Sequence, residues 1–203
     1  MENEYIVRDV FIKDLINVAR IHKNIFYDHM LGQLPVFLIE KFYQSCLNGI
    51  TKQSGVFLLC TDRVSGEVMG FVLGGESAVL NRSKVQFVRK NFLAIIFCGV
   101  LFNPKIYPFI WNRIFGNKNN DLLQDLPVQP TYRLLSIGVC DRAKGTGIAK
   151  MLIKAYERLA FKVTDVYGLS VHNDNQRAVS FYKKMGLEMN GMVGKSYYMK
   201  KSI

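Results

Sequence analysis

Apolar and polar positions alternate along this chain in short runs, and the runs are separated by stretches of helical period. Residues 5–9 (YIVRD) alternate like a short strand, and residues 13–27 carry Leu15, Ile16, Ala19, Ile21 and Phe26 at roughly helical spacing. A second helix is predicted over 35–47, with Pro35 in its first turn. Two apolar runs follow, GVFLLCTD and GEVMGFVLGG, parted by Arg63, Val64, Ser65 and Gly66, which reads as a hairpin with a glycine-containing loop. YRLLSIGV (132–139) is the next strand, and a glycine-rich turn leads from it into a helix over 147–161. VYGLSV (166–171) is a further strand, followed by a helix over 175–184 that Gly186 is placed to stop. LEMNGMV and KSYYMKK close the chain as two strands around a turn at Gly194. Strands, crossover helices and a final hairpin predict a single domain with a mixed α/β sheet.

Between the third and fourth strands the pattern loosens. Residues 77–130 are basic and aromatic, predicted helical, broken by Pro104 and Pro108, and end in the polar GNKNNDLLQDLPVQP. The stretch is too short and interrupted for a core of its own, so it reads as an insertion. It also holds most of the chain's excess charge. From Ser77 to Asn120 there is no acidic residue, while Arg82, Lys84, Arg89, Lys90, Lys105, Arg113 and Lys118 are all cationic. An anionic partner follows: a phosphorylated cofactor, a nucleotide-bearing substrate or a membrane surface. Nucleic acid is not expected, since no recognisable reader motif accompanies the charge.

Composition narrows the class. Nearly half of the residues are hydrophobic and 21% are charged, which excludes a disordered chain. The longest apolar run, FLAIIFCGVLF, has 11 residues, well short of the roughly 20 that span a bilayer. MENEYIVRDV opens acidic and amphipathic, so no signal peptide is expected. Cys46, Cys60, Cys98 and Cys140 have no metal-like spacing and read as reduced thiols of a cytoplasmic protein. His22, His29 and His172 lack ligand spacing, and no metal site is expected.

The candidate chemistry lies in CDRAKGTGIAKMLIKAY. A strand that passes through glycines into a helix start presents unpaired N–H groups and the positive end of the helix dipole. A phosphate or pyrophosphate is the ligand that fits. Gly145 and Gly147 keep side chains out of the way, and Lys144 and Lys150 add charge at the rim. The P-loop pattern is absent, and a dinucleotide fingerprint would need more than the Gly-x-Gly-x-Ala found here. Lys144-Gly145-Thr146-Gly147-Ile148-Ala149 resembles the pyrophosphate loop of the GNAT superfamily of acyl-CoA-dependent N-acetyltransferases, Gln/Arg-x-x-Gly-x-Gly/Ala, with Lys in the first place. A second register from Arg142 fits the pattern literally; the Lys144 register is preferred for its spacing from Val139. VHNDNQRAVSFYKKMGLE resembles the same family's strand-to-helix segment, in which Asn, Ala, Tyr and Gly recur as Asn175, Ala178, Tyr182 and Gly186.

The resemblance implies a mixed, mostly antiparallel sheet flanked by helices, with a helical insertion between the third and fourth strands. It implies acetyl-CoA as cosubstrate and a primary amine as acceptor. The amides of Ile137 and Val139 would hold pantetheine and the thioester oxygen, with Gly138 easing a local bulge. The loop residues Lys144 to Lys150 would hold pyrophosphate, Asn175 would anchor the cofactor or cap its helix, and Tyr182 would act as general acid toward the sulfur. For the general base, Glu76 after the third strand and His172 after the fifth are the convenient candidates, with Asp28 and His29 in the region where such proteins often bind the acceptor. Water-mediated deprotonation needs none of them. Cys140 reads as a spectator, and no GxSxG elbow is present. The insertion resembles those of family members in surface-polysaccharide pathways and implies an amino-sugar acceptor, free or nucleotide-linked. A protein N-terminal or lysine acetyltransferase and a non-catalytic CoA-binding module are the alternatives. Cover for one sheet face, a homodimer contact and peripheral contact with anionic lipid fit the insertion alike.

Overall fold

The computed structural model describes residues 4–27, 29–102 and 129–203, with no side-chain account of 99–102. Asp28, and the insertion's Pro104, Lys105, Pro108, Arg113 and Lys118, lie outside the described residues. Among the described residues seven strands form one sheet in the order β1-β2-β3-β4-β5-β7-β6. They are β1 (Tyr5–Asp9), β2 (Gly55–Asp62), β3 (Val68–Glu76), β4 (Tyr132–Val139), β5 (Val166–His172), β6 (Glu188–Val193) and β7 (Ser196–Ser202). Every pairing is antiparallel except β4 with β5, which is parallel.

Helices cover both faces. On one lie α1 (Leu15–Ile25), the single turn α2 (Met30–Gln33), α3 (Val36–Gly49) and α4 (Ser77–Phe102). Leu15, Val18, Leu38, Ile39, Tyr43, Leu80 and Phe87 from these helices bury against Phe57, Leu59, Phe71 and Leu73 of the sheet. On the other face lie α5 (Ile148–Ala160) and α6 (Gln176–Lys184). There Ile148, Leu152, Ile153, Tyr156, Val179 and Tyr182 pack on Val72, Leu134, Leu169 and Met199. The alternation of β2 and β3 is lost to near-complete burial because both of their faces are covered.

Several boundaries differ from those the periodicity predicts, each for a local reason. A 3-10 turn, Ile12–Asp14, precedes α1 because Asp14 accepts the Phe11 N–H at 2.9 Å and pairs with Arg8 at 2.7 Å. Pro35 is the N-cap of α3, with an extended backbone, and its carbonyl accepts from Leu38 and Ile39. Gly186 stops α6 at φ +83°, and Gly194 turns the last hairpin at φ +55°. Helix α4 lies between β3 and β4 and kinks at Asn91, whose side chain donates to the Phe87 carbonyl at 2.9 Å. Ser45 of α3 donates to the Ser83 carbonyl at 2.8 Å, which docks the first half of α4 on that face.

Candidate active site

The sheet opens between β4 and β5. The two parallel strands meet at Arg133 and Gly168 and pair nowhere beyond, while β4 stays paired to β3 as far as Val139. The Cys140 N–H donates to the Met69 carbonyl at 2.8 Å, so the amides that face β3 near this end are those of Gly138 and Cys140. Amides alternate sides along a strand, and those of Ile137 and Val139 therefore face the opening. A β-bulge does interrupt β4, but at Leu135, the residue skipped between the pairs Leu73–Ser136 and Gly74–Leu134. Gly138 sits in regular pairing and does not ease it. Its role is close packing: a Cβ there would lie 2.9 Å from the Phe71 ring and 3.1 Å from Ile25 of α1.

The glycine loop leaves β4 at the open end. A 3-10 turn, Asp141–Ala143, is anchored by buried Ala143, whose carbonyl accepts the Thr146 hydroxyl at 2.7 Å. Gly145 and Gly147 take φ of +87° and +85°, and Gly147 is the N-cap of α5. These are conformations that only glycine adopts readily, and a Cβ at either position would project into open space. The demand for glycine thus falls on the two places that the Arg142 register assigns to it. The first α5 bond is Met151 N–H to Gly147 carbonyl. Among the described residues, the amides of Gly145, Gly147, Ile148, Ala149 and Lys150 have no protein acceptor. Lys144 is ion-paired to Asp141 and Arg142 to Glu67, so Lys150 is the rim cation without an ion-pair partner among the described residues.

The second segment lies beside the same opening. Asn175 caps α6, its side-chain oxygen accepting from Ala178 N–H at 3.1 Å, which leaves its NH2 group to donate to a ligand. Tyr182 lies about 10 Å further along the helix. It is 8% exposed, its ring lies tilted against Phe181, and its hydroxyl makes no protein hydrogen bond among the described residues. Burial pushes that hydroxyl up, which keeps it protonated and able to donate.

The base candidates separate. Glu76 pairs across β3–β4 with Tyr132, beside the closed end of the opening and about 17 Å of strand from Ile137. It is exposed there and too far to deprotonate an amine at Ile137, which corrects the expectation. His172 ends β5 on the open side, with Asp174 at 3.5 Å from its Nδ1. His29 starts α2, next to an open groove of ≈ 580 Å³ lined by Lys23, Asn24, Tyr27, Gly32, Gln33 and Asp141. Asp141 belongs to the glycine loop, so the groove adjoins the phosphate cradle. The Lys23 ammonium donates to the carbonyls of Gly32 and Leu34 and fixes the groove's wall.

One polar group next to the opening carries no sequence signal. Ser136 of β4 is hydrogen-bonded to Tyr43 of α3 at 3.1 Å, and Tyr43 to His22 Nδ1 of α1 at 2.7 Å. Ser136 follows the bulge and precedes Ile137.

A splayed parallel pair with free amides, continued by a glycine loop at a helix start, suits a long phosphorylated thioester laid between the strands. The comparisons agree. The model of the acetyltransferase (GNAT) family matches residues 23–187, and the chain belongs to that family. It is an acyl-CoA-dependent N-acetyltransferase, and acetyl-CoA is its cosubstrate. Among solved structures it is similar to PaiA N-acetyltransferase from Thermoplasma acidophilum in complex with coenzyme A, at 16% identity and TM-score 0.57 over 98% of this chain and 99% of that one. It is also similar to Ard1 from Thermoplasma volcanium, at 17% identity and TM-score 0.59 over 98% of both chains. A third is an acetyltransferase of the GNAT family from Streptococcus pneumoniae, at 16% identity and TM-score 0.56 over 98% of this chain and 99% of that one. Among curated proteins, none matches the sequence. Among the described residues no helix is long and apolar enough to cross a membrane.

Proposed function

We propose that this enzyme moves the acetyl group from acetyl-CoA directly to a primary amine of a small molecule, with an amino sugar, free or nucleotide-linked, as the leading acceptor. The observation that carries the reading is the opening between β4 and β5, with the amides of Ile137 and Val139 on one edge and the glycine loop at its mouth. The residues present fit coenzyme A. The unpaired amides of Gly145, Gly147, Ile148, Ala149 and Lys150 suit pyrophosphate, and the uncovered β4 edge suits the amide-bearing pantetheine arm. Bound there, acetyl-CoA supplies an activated acyl group.

The chain's own residues then have three tasks. The Ile137 and Val139 amides donate to the pantetheine arm and the thioester oxygen, where negative charge develops as the amine attacks. Tyr182, neutral and without a hydrogen-bond partner among the described residues, donates toward the departing sulfur. The groove beside Asn24, Tyr27 and Gln33 admits the acceptor. Its polar lining and small volume support a hydroxylated small molecule. The run of cations on α4, Arg82, Lys84, Arg89 and Lys90 with no acid among them, supports an anionic group on the acceptor or on another partner of this face. With Glu76 remote, His172 or ordered water takes the amine's surplus proton. A cytoplasmic location is part of this reading.

Calorimetry with acetyl-CoA, comparing wild type with Gly147→Glu, tests the cofactor site. Micromolar binding lost in the variant supports it, and no binding by wild type sinks it. A panel of amines then separates acceptors: turnover of amino sugars supports the proposal, turnover of peptide N-termini or lysines replaces it, and tight CoA binding without turnover of any amine favours a regulatory module.

A further inference from the structure

The buried chain from His22 through Tyr43 to Ser136 joins two helices to the strand that borders the opening. His22 is 6% exposed and Tyr43 is fully buried, ringed by Phe42, Phe57, Phe71 and His22. Ser136, at the strand end of this network, is half-buried. The far end of the chain is a dead end, because among the described residues the buried His22 Nε2 has no hydrogen-bond partner.

That orphan favours one direction for every bond in the chain. A proton on Nε2 would bury an N–H donor with no acceptor, the rarer kind of orphan in folded proteins. A proton on Nδ1 leaves only an unfilled lone pair. His22 Nδ1–H then donates to the Tyr43 oxygen, Tyr43 donates to Ser136 Oγ, and the Ser136 O–H is left to donate outward. Among the described residues the Ser136 hydroxyl has no other protein partner. Burial holds His22 down at about 4 and pushes the Tyr43 hydroxyl far up, so both stay neutral at pH 7 and the chain acts as a line of donors. An oxygen held by the Ile137 N–H lies one residue along the strand from this hydroxyl.

We propose that Ser136 is a catalytic residue of the transfer, its hydroxyl donating to the carbonyl oxygen of the acetyl thioester, and that Tyr43 and His22 are the positioning residues that aim it. The proposal rests on the acetyl-transfer reading of the same opening. The Ser136 proton stays on its oxygen throughout. As the amine nitrogen bonds to the acetyl carbon, charge builds on the carbonyl oxygen and is met by this donor. The carbonyl reforms as the C–S bond breaks, the sulfur takes up a proton and the ammonium gives one up to water or His172.

Two measurements test it, the first without any ligand. Nitrogen-15 NMR of the free protein should show His22 protonated on Nδ1 and bare on Nε2; the opposite tautomer overturns the proposal. Isotope-edited infrared spectroscopy of [1-13C]acetyl-CoA should show the carbonyl band moved to lower frequency on binding to wild type. Ser136→Ala should lose much of that shift, Ser136→Thr should restore it, and Tyr43→Phe, checked for folding by circular dichroism, should lose part of it. An identical band in wild type and Ser136→Ala overturns the proposal while leaving acetyl transfer intact. Failure of wild type to bind acetyl-CoA removes the acetyl-transfer reading, and this proposal with it.

Discussion

Gly147 and Gly186 pose the same backbone problem in two places, and that makes a controlled experiment. Their φ values are +85° and +83°; a Cβ on Gly147 meets nothing within 4 Å, and one on Gly186 meets only the Lys201 side chain at an ordinary 3.5 Å. Alanine at either site costs about 1–2 kcal/mol of strain, with no clash to add to it. For a chain of this size that lowers Tm by roughly 2–8 °C in both variants. Only at Gly147 does the new methyl stand in front of the free amides at the start of α5. Displacing a phosphate oxygen from one such amide forfeits a hydrogen bond to a charged group, about 1.5–3 kcal/mol, and weakens Kd by roughly 10- to 150-fold. Differential scanning calorimetry should therefore place the two variants together, while titration with coenzyme A separates them. Equal coenzyme A affinity in both would refute the cradle and reduce the loop glycines to turn formers.

Other perturbations follow from single groups. The His22 side chain is held at about 4, below its usual 6.5, so the unfolded chain binds its proton first as pH falls; stability is full above pH 6.5 and declines by about 3 kcal/mol as pH falls through 4. Urea titrations from pH 7 to pH 4 should show that decline in wild type and a shallower one in His22→Gln. Arg8 holds the Asp14 carboxyl below the usual range, so its contribution is present above about pH 4 and is lost as pH falls through the depressed value. Asp14→Asn should cost about 2 kcal/mol at pH 7, and the gap to wild type should close in strong acid. Tyr182→Phe removes a hydroxyl with no protein partner, so Tm should move by under about 2 °C. Steady-state kinetics with any working acceptor should show kcat reduced roughly 10- to 100-fold at nearly constant KM, and unchanged kcat would remove Tyr182 from the reaction.

The readable parts of this fold are those that local chemistry dictates. Strands, helices and the closing hairpin follow from residue period and from glycines at positive φ, both properties of a few adjacent residues. The glycine loop was legible for the same reason, since φ near +85° at Gly145 and Gly147 is a demand written into the residue type itself. Pro35 was misplaced by one position because proline suits an extended N-cap as well as a first turn. The family resemblance implies a bulge eased by Gly138, yet the irregularity lies at Leu135 and the glycine answers to the approach of α1.

Register and tertiary pairing are another matter, and the active-site errors come from there. Glu76 stands at the end of a strand that reads as a neighbour of the catalytic one, and nothing local says which way the neighbour runs. Because β3 is antiparallel to β4, its last residue meets the first residue of β4, at the closed end of the opening. Sequence proximity to "the end of a strand" thus points to the wrong end of the site. The reverse error hides Ser136. Its partner Tyr43 lies 93 residues away, and Tyr43 meets His22 across another 21. Each of the three alone reads as ordinary: a serine in a half-buried strand, a core tyrosine and a helical histidine. Only the folded chain sets them in one line, which among the described residues stops at His22 Nε2, so the free end of the line is the hydroxyl on the strand that borders the opening.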